Sequence, residues 1–246
     1  MKKWIEKNKY FVGAIGVILI ALFSFLLFQN QQKEEVKEAI NTMVSSGLEE
    51  AEKPKKHVET KSSETVQSNQ VDVITGTEVQ EETPIPTVIS LTEGERPSVK
   101  TIQSAQVNFN EVSDSVLGSI EIDSIQLKLP ILMGDSFDNM LYGACTVLSK
   151  QMMGKGNYAL ASHNAGYEGL LFTSLNKVSV GDLVKLNDRE GHSFTYKVKE
   201  QKHVDMTDTT MLNLTRKPTL TLITCDQATK TTGRIIVIAE IGRAHV

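Results

Sequence analysis

Cysteine is scarce in this sequence: Cys145 and Cys225 are the only two among 246 residues. Two thiols cannot build a disulfide framework, and their spacing matches no structural metal motif. Each is either a small packed side chain or a reactive thiol. Basic charge is also lacking. The 26 Lys and Arg against 30 Asp and Glu leave a formal net charge of −4, which argues against a nucleic-acid partner, because such a surface needs a basic patch. Aromatic residues are absent from 29–104, where 14 Asp and Glu stand against 8 Lys and Arg and where Pro84 and Pro86 interrupt regular structure. That composition cannot bury enough apolar surface to offset its ordering entropy. Residues 29–104 are therefore expected to form a flexible stalk, whose 76 residues would reach about 50 Å root-mean-square as a coil. Within it Val36, Ile40, Val44 and Leu48 recur every fourth residue, which allows a short helix from Lys33 to Ala51.

One long hydrophobic run is present. Lys2, Lys3, Lys7 and Lys9 precede 19 uncharged residues from Tyr10 to Phe28. As a helix those residues rise roughly 28 Å, close to the ~30 Å of a bilayer core. The run is long for a cleaved signal peptide, and Gln29-Asn30-Gln31-Gln32 offers no small-residue cleavage site. The expectation is a cytoplasmic segment over 1–9, a transmembrane signal anchor over 10–28, and everything after Gln29 extracytoplasmic, as the flanking lysines direct. The cell membrane is then a partner.

From Ala105 the texture changes. Ile120 and Ile122, then Ile125, Leu127 and Leu129, alternate with polar residues; so do Phe194, Tyr196 and Val198 after the turn Asp188-Arg189-Glu190-Gly191, and Leu220 and Leu222 between threonines. Ile235 to Ala239 is continuously apolar, as suits a strand buried on both faces. Many short strands with few helical stretches predict a single all-β barrel or sandwich over 105–240. The closing residues 241–246 match no strand ending and are expected to be a non-native, adapter-derived tail.

Three residues could carry chemistry. Cys225 ends the strand-like Thr219 to Thr224, a place from which a sulfur can face a barrel mouth; attack at neutral pH then needs a base or a nearby positive charge. Arg234, nine residues later, lies beside Cys225 if the Asp226–Gly233 loop closes an antiparallel pair, and its guanidinium forks toward carbonyl oxygens. His163 follows Tyr158-Ala159-Leu160-Ala161 and precedes Asn164-Ala165-Gly166, so it can reach into a cleft and move protons near neutrality. His57 and His192 read as solvated, and His203 as a weaker rival. On position alone, Cys225 could equally be a buried hydrophobe.

Taken together, Thr221-Leu222-Ile223-Thr224-Cys225, Gly156 through Asn164, and Gly233-Arg234-Ile235-Ile236-Val237 resemble the cysteine, histidine and arginine segments of a sortase. Residues 117–240 are similar to a sortase catalytic domain, most closely class A of the housekeeping type. The resemblance implies an eight-stranded sortase barrel with short helices. It further implies that Cys225 cleaves an LPxTG-type sorting signal between Thr and Gly, and that an amine of a peptidoglycan precursor (lipid II) resolves the thioacyl enzyme, fixing surface proteins to the wall. His163 would act as acid and then base, and Arg234, with Thr224 as a further contact, would stabilise the oxyanion. Some class A sortases bind calcium through loop carboxylates; no convincing set maps here, so no metal or cofactor is expected. Cys145 is expected to be a packed thiol. The absence of an Asp-Pro-aromatic lid motif in 29–116 disfavours the pilin-polymerising class. The alternatives are another cysteine wall enzyme or surface protease, and a non-catalytic anchored β-domain adhesin.

Overall fold

A computed structural model describes residues 9–54, 97, 99–106 and 112–241. Eight strands close into a barrel: β1 (Val116–Ile122), β2 (Leu127–Leu132), β3 (Ala144–Thr146), β4 (Asn157–Ala161), β5 (Leu183–Asp188), β6 (Ser193–Asp205), β7 (Thr219–Cys225) and β8 (Gly233–Ile241), in the spatial order β1-β2-β3-β4-β7-β8-β6-β5. The eight-stranded barrel that the family resemblance implies is present, and it decides for a barrel between the two all-β folds that the strand pattern allowed. Its interior follows the period-2 rule: in β1, Val116, Gly118, Ile120 and Ile122 are buried and the residues between them are partly exposed. Ile125, expected to continue that alternation, instead ends a 3-10 turn over Asp123–Ile125 that separates β1 from β2. The Asp188–Gly191 turn joins β5 to β6, with Asp188 Oδ1 accepting from the Glu190 and His192 amides.

Strands β4, β7 and β8 are covered on both sides. Leu220, Leu222, Val237 and Ala239 point into the barrel, while Ile223 and Ile236 pack outside it against Val147, Leu148 and Leu212. Thr221, which the alternation marks as polar, is 1% exposed; its hydroxyl donates to Asn157 Oδ1 at 2.8 Å, so burial leaves no polar group unpaired. Leu222 is fully enclosed. Leu222→Ala is expected to cost about 2–5 kcal/mol, read as a lowered denaturant midpoint at unchanged slope.

The N-terminal segments require corrections. Helix α1 (Lys9–Glu52) is one continuous 44-residue element, and among the described residues no helix is long and apolar enough to cross a membrane. The apolar run of this helix ends at Phe28, well before the helix does. Gln29 through Lys33 then dilute any longer stretch. The transmembrane helix expected over 10–28 is therefore not supported.

The short helix allowed from Lys33 to Ala51 is present as the last part of α1, so the beginning of the 29–104 segment is not a coil. The helix continues to Glu52 and lays Val36, Ile40, Met43, Gly47 and Ala51 against the barrel and against Ile102 and Ala105 of α2 (Val99–Gln106). The stripe is narrow, but Gly47 lets it approach: a Cβ there would stand 2.6 Å from Pro130 Cγ. Arg189 clasps the helix end, donating to Glu50 Oε1 (2.9 Å), the Lys53 carbonyl (3.0 Å) and the Val116 carbonyl (3.3 Å). Arg189→Ala should release that end at a cost of about 1–2 kcal/mol, seen as faster amide exchange over 44–52. Strand β8 runs to Ile241, one residue past the expected boundary, with Ile241 in register with Tyr196. The 1–8 and 242–246 parts of the expectations, and most of the stalk, lie outside the described residues.

Candidate active site

Two strand neighbourhoods build the site. Strands β7 and β8 are antiparallel, and Cys225 and Arg234 are direct register partners at the end of the pair; opposed residues share a face of the sheet. On the other side of β7, β4 runs parallel, with Ala161 opposite Ile223. His163 and Cys225 each stand two residues beyond that pair, at the same end of neighbouring strands, which lie about 4.8 Å apart. Further bonds tie the two ends together. Ser162 N donates to the Ile223 carbonyl (3.2 Å), Thr224 Oγ1 to the Ser162 carbonyl (2.9 Å), and Asn164 Nδ2 to the Cys225 carbonyl (3.0 Å). Asn164 is thus more than a polar loop residue: it fixes the main chain of Cys225. The Thr224 hydroxyl is committed to Ser162, so a side-chain contact to an oxyanion would require that bond to break.

Arg234 is 3% exposed. Its NH1 donates to the Gly233 carbonyl at 2.8 Å and to the Thr231 carbonyl at 3.3 Å, and NH2 touches Met206 Sδ at 4.0 Å. Its Nε is buried with no hydrogen-bond partner, a spare donor in a place where leaving one unmade is costly.

The imidazole of His163 lies under Phe137, ring centroids 4.4 Å apart. Its Nε2 meets the Phe137 carbonyl at 3.1 Å; a carbonyl only accepts, so Nε2 carries the hydrogen and the neutral ring keeps its lone pair on Nδ1. Burial pulls its pKa down to about 4, against smaller opposing contributions from the Phe137 carbonyl and Asp138. Burial also pushes the Cys225 thiol up; Arg234 pulls it down and Asp226 adds to the rise. At neutral pH the resting site therefore holds a neutral thiol and a neutral imidazole, beside a permanent cation.

The depressed histidine has a consequence for stability. The unfolded chain takes up a proton near pH 6.5 that the folded chain refuses until about 4, so stability falls as pH drops through that window. The loss is on the order of 2–3 kcal/mol and should vanish in His163→Gln, as denaturant midpoints at pH 7 and pH 4.5 will show.

Cys145 is fully buried in β3, with its thiol pushed well up by burial and by Asp135, a packed and unreactive group. Among the described residues one cluster, Asp188, Glu190 and His192, brings possible metal ligands within 4.8 Å of one another. It does not fit calcium, which takes six to eight oxygens: both Asp188 oxygens are already used by the turn, Oδ2 by His192 Nδ1 at 2.8 Å. Phe137 had no signal in the sequence, since it sits in a loop brought over His163 only by the closed barrel.

The sortase-domain family model matches residues 120–242. The chain belongs to the sortase family. Sortases are cysteine transpeptidases, and the relatives found agree with the class A resemblance. Sortase A of Listeria monocytogenes is 38% identical over 149 residues, 61% of this chain and 66% of that protein. Sortase A of Bacillus anthracis is 33% identical over 147 residues, 60% of this chain and 68% of that protein. The crystal structure of the Listeria sortase A superposes with a TM-score of 0.51 at 38% identity, covering 53% of this chain and 89% of that one. The chain thus spans about two thirds of the length of these two sortase A relatives.

Proposed function

We propose that this sortase cleaves LPxTG-type sorting signals between Thr and Gly and passes the acyl group to an amine of a peptidoglycan precursor, attaching surface proteins to the cell wall. The observation that carries the reading is the convergence of Cys225, Arg234 and His163 at one end of β7 and its two neighbours. As the Thr carbonyl approaches, the Cys225 sulfur attacks and its proton passes to the imidazole of His163. Charge on the carbonyl oxygen develops beside the Arg234 guanidinium. Collapse of the tetrahedral adduct breaks the Thr–Gly bond, and His163 returns the proton to the departing Gly amine. The acceptor amine then attacks the thioester, losing its proton to His163, and Cys225 leaves as a thiol.

The pair starts neutral, so the ion pair forms along the reaction path rather than at rest. Cell-wall acceptors lie outside the cytoplasm, and so, in this reading, does the barrel. The test is a peptide carrying an LPxTG sequence, incubated with the chain and an amine such as triglycine. Transpeptidated product supports the reading; cleavage without transfer would point to a protease, and no reaction with the peptide retained as a tight ligand would point to a binding module. Digestion of intact cells by an added protease tests the location.

A further inference from the structure

A second polar cluster stands directly behind the site. Asp226 follows Cys225, and Gly233 precedes Arg234, so by strand alternation both lie on the face of the sheet opposite the thiol and the guanidinium. His203 of β6 is in register with Ile235 and therefore shares that back face, together with Asp205 opposite Gly233. Its imidazole reaches past Gly233 to Asp226, Nε2 to Oδ2 at 2.8 Å. Thr231 Oγ1 donates to Asp226 Oδ1 at 2.6 Å, and the Gly233 amide donates to Thr231 Oγ1 at 3.0 Å. The Asp226 amide closes the same loop on the Gly233 carbonyl at 3.1 Å.

Glycine at 233 is required by this arrangement: a Cβ there would stand 2.2 Å from Asp226 Oδ2 and 2.6 Å from His203 Nε2. Three strands are bridged at the point where two of them present Cys225 and Arg234. We propose that His203 and Asp226 are positioning residues, forming a latch across β6, β8 and β7 that holds Cys225 and Arg234 at their working separation.

The charged groups that act on the thiol are Arg234, its register partner on β8, and Asp226, the next residue of its own chain, whose side chain lies behind the sheet; His163 stands beyond β4 at the same end, and His203 and Asp205 of β6 lie on the back of the same strands. Of these, Arg234 lowers the thiol's pKa, so a latch that sets its distance also sets the pH at which Cys225 ionises. The Asp226 carboxyl, pushed up by burial but held below the usual range by its bonds to Thr231 and His203, is an ionised acceptor throughout.

The experiment measures two things in the full chain: turnover of an LPxTG peptide with triglycine, and the pH profile of Cys225 alkylation by iodoacetamide, read by mass spectrometry of the Cys225 peptide. His203→Ala is expected to lower kcat about tenfold at little-changed KM and to move the alkylation midpoint up by about half a pH unit. His203→Gln, which keeps an N–H donor, should recover most of both, and Gly233→Ala should reproduce the loss by steric exclusion. In an Arg234→Ala background, His203→Ala should move the midpoint no further. A role confined to general stability would lower the melting temperature and leave the midpoint in place.

An unmoved midpoint in His203→Ala, or a shift that persists without Arg234, overturns the latch. The inference rests on Cys225 as the reacting thiol, and wild-type alkylation separates the two ideas. A Cys225 that never alkylates overturns the catalytic reading and the latch together; one that alkylates with a midpoint indifferent to His203 overturns the latch alone.

Discussion

Cys225→Ala is expected to abolish both cleavage and transfer, by more than about 10³-fold, while leaving the fold intact. The reaction as proposed passes through a thioester, and among the described residues no other thiol can form it: Cys145 is fully buried and held in its neutral form. The substitution removes one sulfur at the end of β7, where the side chain is partly exposed, so the cavity cost is small. Cys225→Ser is the sharper variant. A serine hydroxyl is a far weaker acid than a thiol, and His163, with its pKa pulled down to about 4, is a weak base toward it. Serine should therefore rescue nothing, even though it preserves size and polarity. Mass spectrometry of the wild type with substrate and no acceptor should trap an acyl group on Cys225. Full turnover by the Ala variant would move the chain out of the cysteine transpeptidases.

The parts of this arrangement that sequence could reveal are the local ones. An antiparallel pair with a short loop puts Cys225 opposite Arg234, because Thr219–Cys225 and residues 234–240 pair residue for residue across it. Period-2 alternation marked β1 and the start of β6, where one face is buried and the other is wet. The contact between His163 and the cysteine strand is of another kind. It depends on parallel pairing of β4 with β7, across some sixty residues, and no periodicity encodes which strand becomes a neighbour; only resemblance pointed there.

The same limit explains the N-terminal corrections. Composition described 29–104 correctly as poor in apolar residues, but a single stripe from Val36 to Ala51 is enough when Gly47 permits close approach and Arg189 caps the far end. The uncharged run of α1 looked long enough to span a bilayer when counted alone. Within a helix that continues through Gln29–Lys33, the described part is not. His203 read as a weaker rival to His163 because a lone histidine on an alternating strand carries no sign of its partner. That partner, Asp226, comes into view only once β6 and β8 are paired.

Arg234→Ala is expected to lower kcat by about 10²–10³-fold with a smaller change in KM. Two features of the guanidinium argue for a loss concentrated in the transition state. It is nearly inaccessible, so its field on the neighbouring atoms is little screened, and NH1 is already tied to the Gly233 and Thr231 carbonyls. The group is thereby held rigid, and no reorganisation is needed when negative charge appears on the carbonyl oxygen. Its Nε–H, unpartnered at rest, gains most when that charge forms, whereas a neutral ground-state carbonyl gains less. Arg234→Lys keeps the charge but has no planar fork to hold both carbonyls while presenting a further donor, so lysine should recover under a tenth of the wild-type rate. Loss of the bonds to Gly233 and Thr231 will also cost about 1–3 kcal/mol of stability, so rates must be compared well below the melting temperature of each variant. A lysine variant with full kcat would mean that charge alone suffices. An alanine variant altered only in KM would mean that Arg234 binds the peptide without stabilising the oxyanion.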